Sequence, residues 1–77
     1  MTNKIYTTTW CPYCKAAKRL LKSKNIPFEE INIEEEGISR EKLAGITGGR
    51  TVPQIVLNGE FIGGYDNLAA MNTANKL

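Results

Sequence analysis

The sequence predicts an α/β domain: one four-stranded mixed sheet, two strands parallel and two forming a C-terminal hairpin, flanked by three helices. Three observations predict it. A β-branched run, an amphipathic run and a second β-rich run follow one another early in the chain, and a strand, helix, strand unit with so short a connection is normally parallel and right-handed. "PQIVLNGEFIGG" sets two apolar runs around Asn58-Gly59, the favoured pair for a type I′ hairpin turn. Two further helical patterns, one before the hairpin and one after it, supply surfaces against which the sheet can bury its faces.

Each element has its own reason. "NKIYTTT" alternates apolar and polar residues and is rich in β-branched types, so Asn3 to Thr7 reads as a strand. Pro12 suits the first turn of a helix, where its missing N–H costs nothing. Ala17, Leu20 and Leu21 then form an apolar stripe opposite Lys15, Lys18, Arg19, Lys22 and Lys24, and Asn25 with Pro27 ends that helix near Lys24. "PFEEINI" is the second strand, although its alternation is imperfect. The acidic run Glu34 to Glu36 precedes "ISREKLAGITG", a short helix with Leu43 and Ile46 facing a core and Gly48 and Gly49 stopping it. Compensation of that helix's N-terminal dipole, or plain solvation, is expected of the acids ahead of cation binding. Pro53 is tolerated as the entry residue of the third strand. "YDNLAAMNTANKL" reads as a final helix with Asp66 in its first turn and Leu68 and Met71 inward, Met71 as a core filler rather than a ligand. With no repeat, linker or low-complexity segment, residues 1–77 are expected to form one domain.

Composition excludes several classes. A hydrophobic fraction of 42% and a charged fraction of 23% belong to an ordinary globular chain, not to a disordered or fibrous one. No run approaches the ~20 apolar residues of a membrane-spanning helix, and "MTNKIYTTTW" lacks the apolar segment of a signal peptide. A cytoplasmic monomer with no membrane association is expected. The net charge is only +2. The cations after residue 14 are expected to form a solvated helix face, not a nucleic-acid surface, because the aromatic stacking platform of single-strand binders is missing nearby.

The chemistry is concentrated in "WCPYC", which holds the only two cysteines, Cys11 and Cys14. In a reducing compartment a structural disulfide is disfavoured, and so short a loop would add little stability. Metal binding and redox chemistry remain. A structural zinc site within one chain is nearly excluded, since zinc normally takes four ligands and the chain has no histidine and no third cysteine. A dimeric site, or a copper site of two cysteines, is not excluded, and small copper carriers also place Cys-x-x-Cys between a strand and a helix. On the redox side, Cys11 stands just ahead of a helix N-terminus, where the dipole and unsatisfied N–H groups favour thiolate over thiol. Cys14 falls within the first turn, near enough for an internal disulfide yet less exposed. That asymmetry suits an attacking thiolate and a resolving thiol.

Taken together, "CPYC" at Cys11 to Cys14, "TVPQI" at Thr51 to Ile55 and "GGYDNL" at Gly63 to Leu68 resemble the glutaredoxin family over nearly the whole chain. The resemblance implies a thioredoxin fold in which Pro53 is cis and lies against the two cysteines. It implies that Thr51, Val52 and Pro53 border a glutathione site, with the Val52 N–H and C=O pairing with the cysteinyl part as a short strand addition. Gly64, Tyr65 and Asp66 match the positions that hold the γ-glutamyl end, where a helix N-terminus receives the carboxylate and Asp66 pairs with the α-amino group. Tyr13 would flank the bound tripeptide. Many glutaredoxins carry a lysine where this chain has Thr8; Arg50 is expected to supply the missing cation, with Arg40 and Lys15 behind it. Trp10 is similar to the tryptophan of the thioredoxin "WCGPC", and the last helix ends early for the family.

The expected function is that of a glutathione-dependent thiol–disulfide oxidoreductase acting on protein disulfides and glutathione mixed disulfides. Glutathione is its co-substrate, and no metal or permanently bound cofactor is expected. Ribonucleotide reductase is among the protein partners the resemblance suggests. The first alternative is a glutaredoxin-like thioredoxin that donates electrons to ribonucleotide reductase and is recharged by thioredoxin reductase. Trp10 and the absent lysine support it; "CPYC" and "GGYDN" oppose it. The second is a metal or iron–sulfur module, opposed by Pro12.

Overall fold

The computed structural model describes residues 3–77. Strand β1 is Lys4–Thr7, helix α1 Pro12–Ser23, strand β2 Glu29–Asn32, helix α2 Arg40–Thr47, strands β3 and β4 Gln54–Leu57 and Glu60–Gly63, and helix α3 Tyr65–Thr73. They form the expected sheet, in the order β2-β1-β3-β4. β1 and β2 are parallel, with Lys4 opposite Glu29 and Thr7 opposite Asn32. β1 pairs antiparallel with β3, and β3 with β4. The turn joining the hairpin has Asn58 at φ 52° and Gly59 at φ 81°, the pair of positive angles that a type I′ turn demands.

Because side chains alternate across a strand, each central strand feeds two cores. Ile5, Ile55 and Leu57 point to one face and pack with Ala17 and Leu21 of α1 and Leu68 of α3. Tyr6 and Val56 point to the other and pack with Ile33 and with Leu43 of α2, the helix on that face, with Ile38 and Val52 beside them. This explains why β3 is buried at all four residues and reads as a continuous apolar run instead of an alternating one. It also corrects the half-buried appearance of β1: Thr7 is fully buried, and its hydroxyl donates to Glu30 Oε2 at 2.8 Å.

The helix ends follow local chemistry. α1 stops where Asn25 turns left-handed (φ 57°) and Ile26 N–H donates to the Leu21 carbonyl at 3.0 Å. Gly48, at φ 85°, does the same for α2, and Asn75, at φ 58°, closes α3 so that it ends at Thr73, short of the predicted Leu77. At the start of α2, the Ser39 hydroxyl accepts from Lys42 N–H at 3.0 Å. The acidic run does not lead into this helix. Residues 33–37 form a turn after β2, and the Glu34 carboxylate reaches back to accept from Thr9 N–H at 2.7 Å.

Candidate active site

The site stands at the N-terminal end of α1. Cys11 is the N-cap of that helix, in extended backbone (φ −154°, ψ 101°), and Pro12 occupies its first turn. Cys14 N–H donates to Cys11 Sγ at 3.1 Å, so one of the orphan donors of the helix start is spent on this sulfur. Cys11 and Cys14 are joined by a disulfide, with their Cα atoms 5.1 Å apart. Cys11 keeps 8% of its surface and Cys14 only 1%, a difference that leaves one sulfur within reach of an incoming partner.

The loop ahead of Cys11 is tied down from the sheet edge. Besides the Glu34 bond to Thr9 N–H, Asn32 Nδ2 donates to Thr9 Oγ1 at 3.3 Å, and Asn32 Oδ1 accepts from the Glu34 and Glu35 N–H groups at 3.0 and 3.2 Å. The hydrogen bonds from Thr9, the backbone N–H foremost, hold the exposed Glu34 carboxyl below its usual range. A fixed loop fixes the entry of the chain into Cys11.

A second segment comes alongside. The Val52–Pro53 peptide bond is cis, and the Val52 carbonyl oxygen lies 3.9 Å from Cys11 Sγ. Beside it opens a cleft of about 340 Å³ lined by Tyr13, Thr51, Val52, Pro53, Gly64, Tyr65, Asp66 and Asn67. The Tyr13 and Tyr65 rings face each other across it, their centroids 6.0 Å apart. α3 starts here after its N-cap Gly64, and among the described residues no side chain caps its N-terminal N–H groups, which leaves them available to an anion. The backbone bends sharply into this helix through Gly63 at φ 102°, where an added Cβ would collide with the Asn67 amide.

Seven of the predicted residues therefore line one cleft, next to the cysteine pair. Arg50 does not line it: the side chain is exposed, in the bend just before Thr51. Its carbonyl accepts from Arg40 Nη1 at 3.1 Å, which places the Arg40 guanidinium beside the Arg50 backbone. Thr8, half-buried, offers a hydroxyl whose partner is the Trp10 carbonyl at 3.4 Å. Asn67 was missed by sequence reasoning. Its amide donates to the Ile62 carbonyl at 2.7 Å, and its only sequence signal was its place inside "GGYDNL". The arrangement can exchange a disulfide at the less buried sulfur while an extended peptide-like group lies in the adjoining cleft.

Known proteins show the same construction. Residues 3–62 match the glutaredoxin family model. The chain is 47% identical to a glutaredoxin of Pseudomonas aeruginosa over 95% of its length and 87% of that protein. It is 42% identical to glutaredoxin 3 of Escherichia coli K12, over 95% of this chain and 88% of the relative. Among solved structures, a buckwheat glutaredoxin–glutathione complex superposes with a TM-score of 0.87 at 28% identity, covering 97% of this chain and 71% of that one.

Proposed function

The chain belongs to the glutaredoxin family and is therefore a thiol–disulfide oxidoreductase; from that premise we propose that glutathione is its reductant and that it reduces protein disulfides and glutathione mixed disulfides. The observation that carries the reading is the cleft beside Cys11, with an uncapped helix N-terminus and Asp66 at one end and the Val52 backbone at the other. These fit a γ-glutamyl-cysteinyl group. The α-carboxylate would meet the α3 N–H groups, the α-amino group would meet Asp66, and the cysteinyl backbone would pair with Val52. Tyr13, Thr51, Pro53, Gly64 and Tyr65 shape the walls, and Arg50 is the candidate for the glycyl carboxylate.

In the reduced protein, Cys11 thiolate attacks the glutathionyl sulfur of a mixed disulfide. The new bond joins Cys11 to glutathione, the old bond breaks, and the protein thiolate leaves and takes a proton. A second glutathione thiolate then attacks the bound glutathione's sulfur, giving glutathione disulfide and restoring Cys11. With a protein disulfide, Cys11 forms the mixed disulfide, Cys14 attacks the Cys11 sulfur, and the substrate departs with both thiols while the Cys11–Cys14 disulfide remains. Two glutathione molecules return the two electrons. The supply of reduced glutathione this requires is consistent with a cytoplasmic setting.

Trp10, 79% exposed beside Cys11, favours one second reading, a thioredoxin-like protein recharged by thioredoxin reductase. A donor assay separates the two. Glutathione with its reductase should sustain steady turnover, and thioredoxin reductase should not. The opposite result overturns the glutathione reading.

A further inference from the structure

Lys22 and Lys24 suit the C-terminal end of helix α1, but helix stability does not explain the cations before them, Lys15, Lys18 and Arg19. Between Cys11 and Asn25 stand five cations and no carboxylate. Lys15 and Arg19, and likewise Lys18 and Lys22, are like charges at i,i+4 spacing, and such pairs weaken a helix. Among the described residues only Lys18 is ion-paired, to Glu30 at 3.0 Å, while Lys15, Arg19 and Lys22 are exposed. The acids of the chain gather elsewhere, on β2 and the turn after it.

This cationic face is continuous with the active site. Lys15, Lys18, Arg19 and Lys22 line one shallow depression. Arg19 also borders a second, formed with Ala16, Leu20, Ser23 and Tyr65, and Tyr65 is a wall of the cleft beside Cys11. At the cysteine end the path meets two exposed rings, Trp10 and Tyr13. We propose that this path is a docking surface for a polypeptide substrate whose disulfide is flanked by acidic residues: the disulfide meets Cys11 between the rings, and the acidic flank lies along α1. A polypeptide is favoured over nucleic acid because, among the described residues, the depression formed by Lys15, Lys18, Arg19 and Lys22 holds no aromatic ring on which a base could stack. The proposal rests on the disulfide-exchange activity but not on glutathione.

Single-turnover oxidation of the prereduced protein by a synthetic peptide disulfide tests it without glutathione. In that reaction the Cys11 and Cys14 thiols pass two electrons to the peptide, which gains two thiols as the protein disulfide forms. A peptide flanked by glutamates should react about tenfold faster than its glutamine counterpart at low salt, and the advantage should shrink toward nothing at ~0.5 M salt. Arg19→Glu/Lys22→Glu should remove the preference while leaving the rate with the glutamine peptide and the far-UV circular dichroism unchanged. Equal rates for the two peptides, or a preference that survives the double variant, overturn the proposal. So does a single-stranded oligonucleotide of equal charge that binds more tightly than the acidic peptide, or salt-sensitive self-association that buries Arg19. Glutathione-coupled turnover of a small glutathionyl disulfide, measured beside these, reports separately on the glutathione reading.

Discussion

Two sulfurs three residues apart have different chemistry because only one of them caps a helix. Cys11 receives the Cys14 N–H at 3.1 Å and faces the Val52 carbonyl across the cleft rim, whereas Cys14 is sealed at 1% exposure inside the first turn. In the reduced protein, the same N–H and the positive helix end would both favour thiolate at Cys11. Cys11→Ser should therefore lower turnover of a glutathionyl substrate by at least ~10³-fold, while Cys14→Ser stays within roughly tenfold of wild type, since glutathione can resolve the intermediate in its place. Iodoacetamide should label Cys11 first in the reduced protein. If Cys14 proves the indispensable and faster-labelled thiol, the assignment of roles is wrong. This asymmetry was legible in "CPYC" because Pro12 marks a helix start. The Glu34 bond that steadies the loop before Cys11 was not, since it joins positions 25 residues apart and leaves no local pattern.

At the scale of elements, α1 and β2 are stitched by one carboxylate. Glu30 Oε2 accepts from Lys18 Nζ at 3.0 Å and from the buried Thr7 hydroxyl at 2.8 Å. Burial opposes ionisation of Glu30, but the hydrogen bonds from Lys18 and Thr7, with the charges of Lys18 and Lys22, outweigh it and hold the carboxyl below its ordinary 4.5. A folded-state value below the unfolded one means stability that is present above pH 4.5 and lost as pH falls through the folded value. With 39% of the Glu30 side chain exposed, screening limits the contribution to under about 1 kcal/mol. Glu30→Gln should thus cost a few tenths of a kcal/mol to ~1 kcal/mol near pH 7 in urea unfolding, and that cost should close in acid. A gap independent of pH would show that the ionised form adds nothing. Elements themselves were readable where the signal was local: Asn58-Gly59 for the hairpin, Asn25 and Gly48 for helix ends. The acidic run was placed before a helix because charge is a local cue, while its turn geometry depends on Ile38 N–H reaching the Ile33 carbonyl at 2.8 Å.

Over the whole molecule, the sheet brings three distant sequence stretches to one end, and charge is distributed around that end unevenly. α1 is cationic, the turn after β2 is acidic, and the cleft beside Cys11 is lined, among the described residues, by a single charged side chain, Asp66. The three motifs were legible as a set, but the placement of the Arg50 side chain was not, because exposed arginines are placed by reach and not by packing. Glutathione carries two carboxylates, and the α3 N-terminus can take one. On the proposed glutathione reading the other meets a donor on the Thr51 side, where Thr8 supplies no charge and Arg40 Nη1 bonds the Arg50 carbonyl. If Arg50 turns into the cleft when glutathione binds, Arg50→Ala should lower the glutathione kcat/KM several-fold, the value of a partly exposed charge-assisted contact of about 1 kcal/mol. Thr8→Lys in that background should recover part of the loss, since it places an ammonium three residues before Cys11. Steady-state kinetics of the wild type, the two single variants and the double variant decide the matter. Unchanged kinetics in both single variants would mean that charge does not read the glycyl carboxylate from either position, and would shift weight to a thioredoxin-reductase-dependent cycle.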